Sequence, residues 1–444
     1  MPSAATILAS LMPSRLVWRR SSTAIGIYAS TALSLLGSLV AANILGPSDF
    51  GRLALVIATT ALFQLLLDLT SEEALVKYGF RYAERGQWGR FHRLFGLSLG
   101  FKSGGALLAG LVVIAFAPFA DGVFDTDGLA VPLVLASLLP ILQSTEGIAA
   151  AALVLRSRYD LRAWFLFFSM TLRLVAIAIA APHGVTATVI GLLVAQAATT
   201  ATIGAVGLAA VHRFPRAAAE PLGPERHEII RFVLQSSVGT GLVSLRSWIA
   251  PLLLGVVTSV RQVGLFRAAQ APQQGFAALS SLVRLILFTE QTRDWERGRP
   301  EAVLTGLRRY VVGTAASIGV VVVPLWLLMP WLIELVLPDY TEATDAARII
   351  LLAAALQFVF GWTKSFPITI GRPNLRILAH GIETIVLVPL ILILGTEWGA
   401  TGAAGAVLAS TVAFAAVWTA IVLRLRKETL AHAQAHPPTE VTAV

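Results

Sequence analysis

Apolar runs of 20 or more residues, parted by short polar stretches, fill almost the whole chain. The hydrocarbon core of a bilayer is about 30 Å thick and is crossed by about 20 residues of helix. Each run therefore predicts one crossing. Twelve are marked out, at roughly 21–45, 50–76, 92–117, 129–155, 161–181, 184–211, 228–255, 262–289, 308–337, 344–370, 374–394 and 398–423. The interruptions are of the kind that end helices. In "NILGPSDFGRL" (Asn43 to Leu53), Gly46 and Pro47 close one run, and Ser48 or Asp49 can cap the next. A membrane barrel would show short alternating segments instead. The expected fold is an all-α polytopic membrane protein.

Charge placement gives these crossings a direction. Of the 34 Lys and Arg, 25 fall in alternate loops or at the two ends. They include Arg15, Arg19 and Arg20, then Lys77 to Arg93, Arg156 to Arg162, Arg213 to Arg231, Arg293 to Arg309, Arg372 and Arg376, and finally Arg424 to Lys427. The opposite loops hold only Arg52, Arg261 and Arg348, with several acids between Asp121 and Asp127 and between Asp339 and Asp345. Basic residues accumulate on the cytoplasmic side, so both termini are expected there. The formal net charge of +9 is then a topology signal and not a nucleic-acid footprint. The 56% hydrophobic and 13% charged composition fits, since a soluble chain carries about 25% charge. "RLVWRR" precedes an apolar run too long for a cleaved signal.

Four pairs of segments echo one another at offsets between 212 and 215 residues. "FAPFADGVFDTDG" pairs with "LMPWLIELVLPDYTEA", "SRYDLRA" with "GRPNLRI", "HGVTATVIG" with "WGATGAAGA", and "SDFGRLA" with "RQVGLFR". The last pair sets Gly51 opposite Gly264. The expected layout is a cytoplasmic segment 1–20, an N-lobe 21–211, a linker 212–227, a C-lobe 228–423 and a disordered tail 424–444. The two six-helix lobes would form a parallel repeat, a plan common in secondary transporters, with substrate held between the repeats.

Some charges fall inside the crossings: Lys102, Arg173, Arg246, Arg267, Arg284 and Lys364, with Asp68, Glu146 and Glu383 as the main acids. A charge at mid-bilayer costs about 2.5 kcal/mol or more, so it tends to face a cavity or a partner. Snorkelling or a structural ion pair explains any single one equally well; the excess of cations as a set points to an anionic cargo. Arg267, Gln270 and Gln274 lie on one helix face beside Pro272, which would free backbone carbonyls. A guanidinium suits phosphate oxygens because it donates in a fixed fork. Thr60, Gln64, Asp68 and Ser71 form a stripe in the second crossing. Stripes of small and hydroxyl residues in the first and seventh crossings serve equally as helix glue. His380 and Glu383, at i and i+3, could couple protons, though a structural polar pair is the simpler reading. A wet wall is thus expected from Arg267, Gln270 and Gln274, with Arg246, Arg284, Lys364 and Gln64 as further candidates for substrate binding. Asp68, Glu146, His380 and Glu383 are the ion-coupling candidates. There is no Cys, Walker A sequence, H-E-x-x-H or G-x-S-x-G, and the loops are short. No enzyme activity, metal or cofactor is expected.

"NILGPSDFGRLALVIATTALFQLLLDLTSEEALVKY" (Asn43 to Tyr78) resembles the start of the polysaccharide biosynthesis/export family, with its L-G-P-x-x-[FY]-G turn. These are the Wzx-type O-antigen and exopolysaccharide flippases of the MOP (MATE-like) superfamily. "RSRYDLRAWFLFFSMTLRLV" followed by Gly184 is similar to the family's fourth-to-fifth helix region. The resemblance implies an inner-membrane flippase that turns undecaprenyl-diphosphate-linked oligosaccharide from the cytoplasmic to the periplasmic leaflet by alternating access. It further implies an H+ or Na+ gradient as drive and polysaccharide polymerase or export machinery as partners. Helices 1, 2, 7 and 8 would line the cavity, which places Arg246, Arg267 and Arg284 there and Asp68 and Gln64 on the facing lobe. The alternative is an ion-coupled multidrug exporter of the same fold, although such cargo would want an acidic cavity. A lipid II flippase usually has more crossings, the loops offer a scaffold subunit little docking surface, and the G-x-x-x-D-R-x-G-R pattern of facilitator-type sugar transporters is missing.

Overall fold

The computed structural model describes residues 15–67, 71–277, 291, 294–295, 299–364, 366–370, 372 and 374–435. Among them there is no strand. Seven helices are long and apolar enough to cross a membrane, or eight if the bent helix Glu225–Val257 counts as one crossing. Two of the seven exceed a single pass. The span Ser22–Leu67 has 46 residues, about 69 Å at 1.5 Å per residue, more than twice the bilayer core. It breaks at Gly46, whose φ of 70° suits a residue without a Cβ, and Pro47 opens the next limb. The span Asn374–Lys427 breaks in the same manner at Gly399, with φ 53°.

The described chain forms two compact units, one up to Gly264 and one from Leu265. In the first unit α1 (Arg15–Leu67) packs most extensively on α7 (Tyr159–Ala180). Between them in sequence lie α2 (Glu72–Glu84), α3 (Trp88–Val123), and α4 (Ala130–Ala136), α5 (Leu138–Gln143) and α6 (Glu146–Leu155). Then come α8 (Val185–His212) and α9 (Glu225–Val257). The expected second crossing, 50–76, ends early: Glu72 and Glu73 open the separate helix α2, and Lys77, Arg81 and Arg85, assigned to a loop, belong to α2 and its C-terminal cap. The expected helix 129–155 is one span, Ala130–Leu155, whose hydrogen bonding is interrupted at Ser137 and at Ser144–Thr145, between α4, α5 and α6. Pro140 has no N–H to give the Ala136 carbonyl and crowds it. The Ser137 and Ser144 hydroxyls bond back to Val134 and Ile141.

α10 (Val260–Ala269) runs from one unit into the other. The second unit holds α11 (Pro300–Val336), α12 (Thr344–Val359), α13 (Phe366–Thr369) and α14 (Asn374–Ala435). Here too an expected single helix, 344–370, is broken, after Val359, with Pro367 following. A compact aromatic core gathers Trp362, Phe366, Phe414 and Trp418.

Candidate functional site

Gln196 lies midway along α8, 1% exposed, and five helices deliver partners to it or to its neighbours. Its Oε1 accepts from the Arg173 guanidinium at 2.6 Å, and its Nε2 donates to Glu146 Oε1 at 2.6 Å. The carboxamide thus sits between a cation and an anion that are not themselves in direct contact among the described ion pairs. Thr200 donates to Glu146 at 3.1 Å. Gln143, at the end of α5, donates to Gln196 Oε1 at 3.1 Å, and Gln64 of α1 donates to Gln143 Oε1 at 3.3 Å. An uncompensated charge in such a place would cost several kcal/mol. The amide chain spreads and satisfies both charges. The break between α5 and α6 sets Gln143 and Glu146 at adjoining helix ends, where both can face Gln196.

The second unit carries a chain of the same sense. Gln273 donates to Gln357 Oε1 at 2.9 Å, and Gln357 donates to Thr411 Oγ1 at 3.1 Å. Gln357 stands 214 positions after Gln143, and Thr411 stands 215 after Gln196. Gln357 also lies just before a helix break, as Gln143 does. Gly184 and Gly399, again 215 apart, both carry positive φ, at 94° and 53°.

A second reciprocal contact lies in the first unit, between the 47–67 limb of α1 and residues 255–264. A Cβ on Gly51 would fall onto the Val260 carbonyl, 2.8 Å from its carbon, and 3.0 Å from the Gly264 nitrogen. A Cβ on Gly264 would fall onto the Pro47 carbonyl, 2.9 Å from its carbon, and 3.1 Å from the Gly51 nitrogen. Only glycine permits this backbone approach. One turn along, Leu55 is fully buried against Gly255. Arg52 pairs with Asp49 at 2.9 Å, so this carboxylate engages its own helix face.

The expected site residues divide as follows. Gln64 and Glu146 belong to one network. Its remaining amide and hydroxyl members, Gln143, Gln196 and Thr200, carry no signal in sequence, since a lone amide in an apolar helix does not name its partner. Arg173 stands in the sequence only as a membrane charge without a role. Arg267 donates to Gln270 at 2.8 Å, and the helix turns at Gln270 before Pro272, as the proline predicts. Gln274 is half-buried, Arg246 is half-buried on α9, and Lys364 is exposed at the end of a short 3-10 turn. His380 meets Glu383 at 2.9 Å and stacks on Phe414 with ring centroids 4.9 Å apart, a packed polar pair. Lys102 pairs with Glu72 at 3.1 Å. Thr60 and Ser30, from the hydroxyl stripes, bond back to their own helices. Asp68 and Arg284 lie outside the described residues.

At the basic end of the first unit, Tyr78 donates to Glu228 at 3.0 Å and Arg81 reaches the same carboxylate at 3.3 Å. Burial, followed by the bond to Glu228, pushes the Tyr78 phenol up to about 12, so it remains a donor at neutral pH. Ser236 bonds Glu73.

The sequence profile of the family described as "Polysaccharide biosynthesis protein" matches residues 20–287. The chain belongs to this family. No curated protein sequence matches it. Among solved structures, the chain is similar to an inward-facing multidrug resistance MATE family transporter of the MOP superfamily. That likeness has 15% identity and TM-score 0.72, over 89% of this chain and 96% of the other. It is similar also to the lipid II flippase MurJ in an inward closed conformation, at 12% identity and TM-score 0.70, over 90% and 87%. A mutant of the Vibrio cholerae MATE transporter VcmN matches at 13% identity and TM-score 0.59, over 92% and 98%. The fold is MATE- and MurJ-like, and seven or eight of the described helices are long and apolar enough to cross a membrane.

Proposed function

We propose that the protein is an inner-membrane flippase that moves an undecaprenyl-diphosphate-linked oligosaccharide from the cytoplasmic to the periplasmic leaflet. The observation that carries this reading is the family match over residues 20–287. Its chemistry fits: basic side chains at Arg246, Arg267, Arg284 and Lys364 suit a diphosphate head, because the anion can replace lost water with charge-assisted donors. The glycan follows the head while the lipid tail remains in the bilayer. The reading includes twelve crossings, two six-helix lobes in a parallel repeat, and both termini in the cytoplasm. The pairs Gln143 and Gln357, Gln196 and Thr411, and the positive-φ Gly184 and Gly399, at offsets of 214 and 215 residues, support the repeat. Alternation of the two lobes would expose the cargo first to one leaflet and then to the other, drawing on an H+ or Na+ gradient.

The test is loss of function in the native host. Deletion should abolish surface polysaccharide and accumulate the lipid-linked precursor, and the double variant R267Q/R284Q should do the same at normal protein level. Full export by that variant would overturn the roles given to these arginines. A second reading, an ion-coupled multidrug exporter, is favoured by the likeness to MATE transporters. It requires drug sensitivity on deletion with normal polysaccharide.

A further inference from the structure

A groove of about 490 Å³ opens in the first unit among α2, α3, the 221–223 segment and the start of α9. Its walls run down α3 and α9 from their starts, and the segment leading into α9 lies against the start of α3, where the Glu220 N–H donates to the Gly89 carbonyl at 3.1 Å. On α3 they pass from Arg93 through Leu94 and Leu97 to Phe101, and on α9 from Arg226 through Ile230 and Val233 to Leu234. Each wall rises about eight residue steps, or about 12 Å of helix. The basic side chains therefore stand together at the rim and the lining below is nearly all apolar. Among the described residues neither Arg93 nor Arg226 forms an ion pair, and both are exposed. Phe101, Ile230 and Leu234 leave much of their surface uncovered, so the groove opens sideways.

We propose that this groove binds one anionic phospholipid, with its phosphate on Arg93 and Arg226 and one acyl chain along the apolar wall. The rim lies at the end of the bundle that holds Lys77 to Arg93, the end that basic residues assign to the cytoplasmic surface. Lipid headgroups lie at that depth, and each basic side chain near an anionic leaflet adds about 1 kcal/mol of attraction. Size selects among lipids. About 16 water-sized groups fill 490 Å³ at about 30 Å³ each, and a methylene is of similar size. That holds a single acyl chain and is too small for a whole long prenyl tail. The site is separate from the buried Gln196 network, and its assignment does not depend on which cargo the protein carries.

Native mass spectrometry of the delipidated full-length protein in detergent tests this, with dioleoyl phosphatidylglycerol, dioleoyl phosphatidylcholine and inorganic phosphate as probes. The expected result is one phosphatidylglycerol adduct held at least tenfold more tightly than phosphatidylcholine. Inorganic phosphate at millimolar concentration should not displace it. R93Q/R226Q should lose that preference, R93K/R226K should keep it, and I230W, which fills the groove from an exposed position, should weaken the adduct tenfold. Equal retention of the two lipids by the unaltered protein would overturn the proposal. So would an adduct unchanged in both R93Q/R226Q and I230W, or displacement by free phosphate.

Discussion

Replacing Gly51 with alanine tests whether the contact between α1 and residues 255–264 is a seam that opens and closes. The added methyl would lie 2.8 Å from the Val260 carbonyl carbon, where ordinary contacts fall at 3.4–4 Å. Both sides are backbone, so no side chain can rotate away; the methyl falls onto the carbonyl oxygen itself, nearer still than its carbon, so the helices must part by well over about 0.6 Å. Overpacking of this kind costs about 1–3 kcal/mol. Charged to the closed seam alone, it raises the open population about 5- to 150-fold. The chain has no Cys, so a single introduced thiol reports without background. Leu55 is the natural reporter because it is fully buried one turn along the same seam. L55C should react slowly with a membrane-impermeant maleimide, and L55C/G51A at least fivefold faster. G264A, which meets the Pro47 carbonyl from the other side, should act in the same direction. G104A is the control, since nothing lies within reach of a methyl there. Labelling of L55C/G51A and L55C/G264A within twofold of L55C, in monodisperse protein, would refute the reasoning.

Other perturbations probe the polar interior. Q196L strands Arg173 and Glu146 without their shared amide, and should destabilise by about 2–4 kcal/mol in thermal unfolding; a change below about 0.5 kcal/mol would mean the network contributes little. E383Q should lower thermal stability by about 1–3 kcal/mol while leaving the pH profile of transport in place, because His380 and Glu383 form a packed pair; a displaced profile would instead make them a coupling site. Tyr78 gives an alkaline signature. Its folded pKa, about 12, is above the ordinary 10, so its contribution is complete below pH 10 and is lost as pH rises towards 12. Y78F should flatten that part of the stability–pH curve, and an unchanged curve would remove Tyr78 as its cause.

The membrane class, the succession of apolar segments and their basic ends are all legible without coordinates, because bilayer thickness and the positive-inside bias act on each segment separately. The breaks are harder. Gly46 and Pro47 announce one, since they lie between two runs each long enough to cross. The interruption near Pro140 and the break after Val359 do not stand out, because in each case a single apolar run continues across them. The start of α2 at Glu72 is hidden for the opposite reason: the basic residues that follow the apolar run have the composition of a loop, yet they sit on a second helix.

Long-range polar pairing belongs to the tertiary structure alone. Gln64 and Glu146 are visible as polar residues in apolar surroundings, but an amide at position 143 carries no mark of the one at 196. Only folding brings α5, α6 and α7 to one carboxamide, and low dielectric then makes that pairing compulsory. The glycine contact divides the same way. Sequence sets Gly51 opposite Gly264 in a repeat; the fold places each against the carbonyl one helical turn before the other, where no Cβ fits. Local segments answer to the membrane one at a time and can be read one at a time. Contacts between segments depend on where every other helix packs.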